Sequence, residues 1–187
     1  VDALHAAITA GEQVQFKYCD WNLQKKMTPR HDGQLYRVSP WVLVWENANY
    51  YLIAYTEGRL KHYRVDKMTG ITVTDKPLEG TEQYSAFDIA VYGQKHFGMY
   101  SGEEMTVTLR GTRAMVGVVL DRFGQDVILV PDGPEHFTVS IPLVLSPQFF
   151  GWLFALEPEL TLVAPPQAVD QYRERLRLVQ AQYRQDQ

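Results

Sequence analysis

The 187-residue chain has a single cysteine, Cys19, so no intramolecular disulfide can form and a cysteine-built zinc site has no ligands. Cys19 ends a strand pattern beside Tyr18 and reads as a small core or edge residue. The five histidines, His5, His31, His62, His96 and His136, are scattered without ligand-like spacing, so neither a metal nor a cofactor is expected. No stretch approaches the roughly 18 consecutive apolar residues that a membrane helix needs. The opening VDALHAAITAG lacks the basic stretch and apolar core of a signal peptide. A cytoplasmic protein without membrane contact is the expectation. Missing too are GxGxxG after a strand, GxxxxGK followed by Ser or Thr, GxSxG and HExxH. Asp66, Asp121, Asp126 and Asp132 form no recognisable acid–base pair. The chain is therefore read as a non-enzyme.

What is present is ordinary for a folded protein: 45% hydrophobic and 21% charged residues. The net charge of −4 hides an asymmetry. Residues 1–78 carry 10 Lys and Arg against 8 Asp and Glu, a balance of +2; residues 79–187 carry 8 against 14, a balance of −6. Such a split implies two modules with different partners. A surplus of +2 is too small for binding nucleic acid through bulk charge, so any anion site must be local.

The first module, residues 1–78, reads as a short helix and a run of strands. Asp2 is placed to cap a helix over Ala3–Ala10, with Gly11 as its left-handed stop. Val14, Phe16 and Tyr18 alternate with polar residues, the period of a half-buried strand, and Asn22–Met27 is the expected hairpin partner. His31-Asp32-Gly33 reads as a turn. Strands are expected at Arg37–Trp45, Tyr50–Tyr55, Leu60–Val65 and Ile71–Thr74. Short strands at spacings near ten residues predict a small barrel, and the leading helix makes it Sm-like or SH3-like.

Residues 79–104 form a connection, partly helical over Phe87–Tyr100. The second module, 105–187, shows a strand at Met105–Arg110, a helix over Thr112–Phe123 with Met115, Val119 and Phe123 on one stripe, and strands at Asp126–Pro131 and His136–Leu143. Ser146-Pro147 is a good N-cap and first-turn pair for a helix through about Leu156. A strand at Leu160–Val163 and a helix over Pro166–Gln185 complete it. In that helix Val169, Tyr172, Leu176, Val179 and Tyr183 are spaced three and four apart. The fold class is α+β, a barrel followed by a ferredoxin-like βαββαβ domain with a C-terminal helix. That fold names no chemistry.

The concentrated signal is Tyr50-Tyr51-Leu52-Ile53-Ala54-Tyr55 followed by Lys61-His62-Tyr63-Arg64-Val65-Asp66-Lys67, an aromatic strand and a basic strand across a short turn. Aromatic faces stack bases, and Lys or Arg contacts phosphates. Equally, Tyr50, Leu52 and Ala54 can fill a core while the charges face water.

This region resembles a WYL domain, the ligand-sensing module that follows a helix-turn-helix in many bacterial transcriptional regulators. The family's Trp-Tyr-Leu stands here as Tyr50-Tyr51-Leu52. Its R-x-x-P-x-x-L approach matches Arg37-Val38-Ser39-Pro40-Trp41-Val42-Leu43, and its basic R-x-F-R-x-D-R matches Lys61-His62-Tyr63-Arg64-Val65-Asp66-Lys67. Two of the three basic positions are lysine, which lacks the planar fork that grips phosphate bidentately; Arg64 keeps it. The second module resembles the extension that commonly follows WYL domains, through Asp121-Arg122-Phe123-Gly124, the helix start at Ser146–Leu153 and the closing helix ending in Tyr183.

The resemblance implies effector sensing for a transcriptional regulator. The barrel would bind a small anionic ligand, a nucleotide or single-stranded nucleic acid. Arg64 would sit on phosphate, Tyr51 or Tyr63 would stack, Lys61 and Lys67 would supply field, and Arg37 and Ser39 are further candidates. Lys61, Tyr63 and Lys67 share strand parity and Arg64 lies opposite. DNA would be contacted by a helix-turn-helix that this chain lacks, so the chain is expected to be part of a longer regulator, Val1 not being a natural start residue. The acidic second module is expected to make a homodimer through Val169–Val179 and Phe149-Phe150-Trp152-Phe154, residues that can equally form its core. A single-strand-binding module and a ligand-free interaction scaffold are the competing functions.

Overall fold

A computed structural model describes residues 1–183, which divide into two compact units, one of residues 1–88 and one of the described residues from Ile89 onward. The first begins with helix α1 (Asp2–Ala10). Asp2 lies in its first turn and makes no side-chain cap; the Val1 carbonyl accepts from the N–H groups of Leu4 and His5 instead. Gly11, at φ 70°, closes the helix. Strands β1 (Glu12–Trp21), β2 (Met27–Pro29), β3 (Leu35–Glu46), β4 (Asn49–Thr56), β5 (Arg59–Arg64) and β6 (Met68–Pro77) follow.

Asn22–Met27 is not the expected strand. The Asn22 side-chain oxygen accepts from the N–H groups of Gln24 at 3.0 Å and Lys26 at 2.9 Å, which curls the segment into a turn. The hairpin partner of β1 is therefore Met27–Pro29.

All pairings are antiparallel and run β6-β1-β3-β4-β5, with β2 extending the far end of β1. A helix leading into a sheet-rich unit agrees with expectation. No ladder joins β5 to β6 among the described residues, so the pairings do not by themselves close a barrel. The alternation of β1 does what its period requires: Val14, Phe16 and Tyr18 turn inward onto Leu4, Ala7, Leu52, Ala54, Tyr63 and Met68. Strand β6 is longer than Ile71–Thr74 because its ladder with β1 reaches from Met68 to Pro77.

Past β6 the chain returns across the sheet as a strap. The Leu78 N–H donates to Gly11 and the Glu79 N–H to the Ser39 hydroxyl at 2.8 Å, and α2 (Thr81–Ser85) follows. Trp41, 2% exposed, stacks on Tyr55 at 5.5 Å and meets Tyr84 and Phe87 of the strap at 5.3 and 5.4 Å.

The second unit contains α3 (Ile89–Lys95), β7 (Glu103–Thr112), α4 (Val116–Phe123), β8 (Leu129–Pro131), β9 (His136–Leu145), α5 (Pro147–Phe154), β10 (Leu160–Ala164) and α6 (Pro166–Gln182). Its sheet order is β10-β7-β9-β8, all neighbours antiparallel, with α4 and α5 as the two crossovers. This is the βαββαβ arrangement expected. Arg113–Met115 is a 3-10 turn ahead of α4, and only Leu129–Pro131 of the expected Asp126–Pro131 strand is extended. The Ser146 hydroxyl accepts from the Phe149 N–H at 3.2 Å, the predicted cap. On α6, Ala168 and Tyr172 are buried, whereas Val179 is 47% exposed and Tyr183, just past the helix, 80%. The expected helix end at Gln185 lies outside the described residues.

Candidate functional site

The antiparallel ladder of β4 and β5 sets each side chain of the basic strand opposite a named partner. Tyr63 faces Leu52, so its ring enters the core; it is 5% exposed and packs edge-on against Phe16 at 5.2 Å and Tyr18 at 5.4 Å. Burial pushes its hydroxyl up to about 12. Tyr63 is a core residue, not an accessible stacking platform. Ser39 is 1% exposed and its hydroxyl is committed to the Glu79 N–H, so it too is structural.

Arg64 faces Tyr51 on the other side of the sheet. Its Nη2 donates to Asn49 Oδ1 at 2.7 Å and to Asp66 Oδ2 at 2.8 Å, while Nε donates to Asp66 Oδ1 at 3.1 Å. That bidentate pair holds the Asp66 carboxyl below its ordinary value. Val65–Lys67 is a 3-10 turn, so strand parity does not govern Lys67. Its ammonium lies 3.7 Å from Asp20 Oδ1.

Arg37, on β3, and Lys61, on β5, lie toward the turn that joins β4 to β5. Arg37 is exposed, and its carbonyl accepts from Thr56 Oγ1 at 3.4 Å. Lys61 faces Ala54 and pairs with Glu57 at 2.8 Å. Arg64 and Lys61 are three residues apart on an extended strand, about 10 Å at the usual rise. The seven predicted residues therefore fall into two groups and two core positions. Tyr51, Arg64 and Lys67 share one end of β4 and β5; Lys61 of β5 and Arg37 of the neighbouring β3 lie toward the turn that joins β4 to β5.

Around Tyr18 the structure adds a cation that the sequence pattern did not reveal. Arg30, in the turn after β2, lies over the Tyr18 ring at 5.1 Å and donates from Nη2 to Asp20 Oδ1 at 2.7 Å, with a further contact from Nε to Oδ2. The Tyr18 hydroxyl accepts from the Arg64 N–H at 3.0 Å. Tyr18, Tyr36 and Tyr63 form an aromatic cluster with Arg30 over the Tyr18 ring, and Asp20 links Arg30 to Lys67. Only the register of β1 with β2, which carries Arg30 back beside Tyr18, could have disclosed that cation.

Residues 1–73 match the WYL domain family, and residues 103–179 match the WCX domain family. The chain carries a WYL domain followed by a WCX domain. Two solved structures are similar. Proteasome accessory factor B/C (PafBC) of Arthrobacter aurescens is 19% identical over 98% of this chain and 27% of its own, with a TM-score of 0.42. A CRISPR Cas-related protein is 13% identical over 97% of this chain and 50% of its own, with a TM-score of 0.52, a likeness of fold. The chain thus spans about a quarter and a half of these two proteins. No curated protein matches it.

In the WYL domain the Tyr50-Tyr51-Leu52 motif splits by strand parity: Leu52 is buried in the core, Tyr51 faces Arg64, and Tyr50 stacks edge-on with Trp45 at 4.7 Å near the hairpin tip. In the WCX unit a cavity of about 570 Å³, lined by Val91, Phe123, Ile128, Val130 and Ser140 among others, contains none of the predicted residues. Among the described residues no three His, Cys, Asp or Glu side chains converge as metal ligands, and no helix is long and apolar enough to cross a membrane.

Proposed function

We propose that this chain is the effector-sensing and oligomerisation part of a bacterial transcriptional regulator. Its WYL domain binds a small anionic ligand, nucleotide or short single strand at the Arg64 end of β4 and β5. The observation that carries this reading is a set of three cations linked through Tyr18 and Asp20: Arg30 lies over the Tyr18 ring, Lys67 is 3.7 Å from the Asp20 carboxylate that Arg30 binds, and the Tyr18 hydroxyl accepts the backbone N–H of Arg64. Guanidinium groups fixed by hydrogen bonds lose little entropy when they accept a phosphate, and their field acts locally, as a module of charge +2 requires. DNA would be contacted by a helix-turn-helix outside this chain. Ligand would shift a two-state equilibrium of the regulator, transmitted along β4, whose far end bears Tyr55 against the strap. The exposed C-terminal half of α6, with Leu178 and Val179, and Tyr183 just past it support a homodimer through the second unit in a reducing cytoplasm.

A thermal-shift panel of nucleotides, cyclic dinucleotides, short single-stranded DNA and RNA, phosphate and sulfate tests the reading. A ligand that binds only the folded chain raises stability by about 2.7 kcal/mol at a hundred times its dissociation constant. A selective shift supports sensing; a flat panel at millimolar ligand favours a ligand-free scaffold.

A second reading, a single-strand-binding module, is favoured by the exposed Trp45 and Tyr50 rings, 60% and 41% accessible, beside Asn49. Aromatic faces next to a guanidinium suit stacked bases. A steep fall of affinity with salt would favour it.

A further inference from the structure

Asp20 occupies a position made for an anion. Its carboxylate lies between the Arg30 guanidinium, bound through both oxygens, and the Lys67 ammonium at 3.7 Å. These cations arrive from different elements, the turn after β2 and the 3-10 turn after β5. The Arg30 guanidinium carbon lies 5.1 Å from the centroid of the Tyr18 ring. Arg64 is engaged in the same way by Asp66. Three cations and two carboxylates leave this set one positive charge.

We propose that Arg30 and Lys67 form a second phosphate subsite, filled in the unliganded chain by Asp20 and vacated when a ligand phosphate displaces it. This rests on the reading of Arg64 as the first subsite. A tethered carboxylate competes at a high effective concentration, so a free monoanion gains little by exchanging with it. A ligand bearing two phosphate groups exchanges at both subsites for one loss of translational freedom. A terminal phosphate also offers three acceptor oxygens, which the Arg30 fork and the Lys67 ammonium can share, where a carboxylate offers two; a phosphodiester offers two and competes through its second phosphate. The ligand class is therefore a diphosphate ester or two successive phosphodiesters, and Asp20 filters out singly charged anions.

The test is a gain of function. Titrations of inorganic pyrophosphate and a short single-stranded oligothymidylate are compared for the unaltered chain, Asp20→Asn, Asp20→Ala and the double variant Asp20→Asn with Arg30→Ala. Asp20 is 44% exposed, and melting curves establish that each variant is folded. Removing one negative charge about 4 Å from the bound phosphate, in a water-like dielectric, tightens binding about fivefold. Both Asp20 variants should show that gain, and Arg30→Ala should erase it. Tightened pyrophosphate binding identifies a diphosphate ligand; tightened oligothymidylate binding alone identifies successive phosphodiesters. If the unaltered chain binds a probe and the Asp20 variants bind it no better, the subsite is overturned and the Arg64 reading stands. Absence of binding by every protein overturns both.

Discussion

The Tyr18 hydroxyl accepts the backbone N–H of Arg64 at 3.0 Å across 46 positions of sequence, joining the inner face of β1 to the end of β5. This bond fixes where β5 gives way to the 3-10 turn and therefore where Arg64 and Lys67 project. Burial raises the pKa of the Tyr18 hydroxyl above its ordinary value. Tyr18→Phe leaves the Arg64 N–H without that acceptor and should cost about 1 kcal/mol in urea unfolding. It should also weaken ligand binding, since the Arg64 backbone is no longer pinned. Unchanged stability and affinity would show that the ladder alone positions Arg64.

Ser39 matters for the strap rather than for ligand. Its buried hydroxyl is the acceptor for the Glu79 N–H. Ser39→Ala should destabilise the chain by about 1–3 kcal/mol, the cost of an unsatisfied buried donor. Ligand affinity should be unaffected once the variant is folded. A loss of affinity without a loss of stability would return Ser39 to the site.

Gly80 sits at φ 74° with its α-carbon against the Tyr55 ring, and a β-carbon there would lie 2.7 Å from ring atoms. Gly80→Val combines a strained backbone with that clash and should cost about 1–3 kcal/mol. The strap should loosen over Trp41, giving red-shifted tryptophan emission under native conditions. Emission identical to that of the unaltered chain would show that the strap tolerates the side chain.

Alkaline titration should separate the buried tyrosines from the exposed ones. Tyr63 has its pKa raised to about 12 in the folded state against 10.0 unfolded, and Tyr18 is raised in the same direction. The unfolded chain therefore releases these protons first. Their contribution to stability is intact below pH 10 and declines as pH rises through 12. Urea midpoints should hold up to about pH 10 and then fall. Tyr63→Phe should fall less steeply. Equal alkaline slopes for the two proteins would contradict the burial of Tyr63.

Much of the fold is legible in the sequence because its determinants are local. The two-residue period of Val14, Phe16 and Tyr18, the cap at Ser146 and the turn at Gly11 act within a few residues, and each element forms where it was expected. Asn22 misleads because a side-chain oxygen that satisfies two backbone donors outweighs weak strand propensity, something no hydrophobic period records. The candidate site is legible in residue type, and its geometry is not. The basic motif locates Arg64 and Lys67, yet parity cannot follow Lys67 through a 3-10 turn, and Tyr63 looks the same on paper whether its ring faces Leu52 or solvent. Arg30 reaches the site through the pairing of β1 with β2, a contact between segments that no spacing rule connects.

In the proposed function the Arg64 end of β4 and β5 holds the ligand, and Arg37 of β3 and Lys61 of β5 do not. The most direct measurement is the affinity of Arg64→Ala and Arg37→Ala for the ligand that emerges from the thermal-shift panel, each compared with the unaltered chain at equal folded fraction. Loss of a charge-assisted hydrogen bond predicts about tenfold weaker binding for Arg64→Ala and none for Arg37→Ala. Unchanged affinity in a folded Arg64→Ala, or an equal loss in Arg37→Ala, would contradict the account.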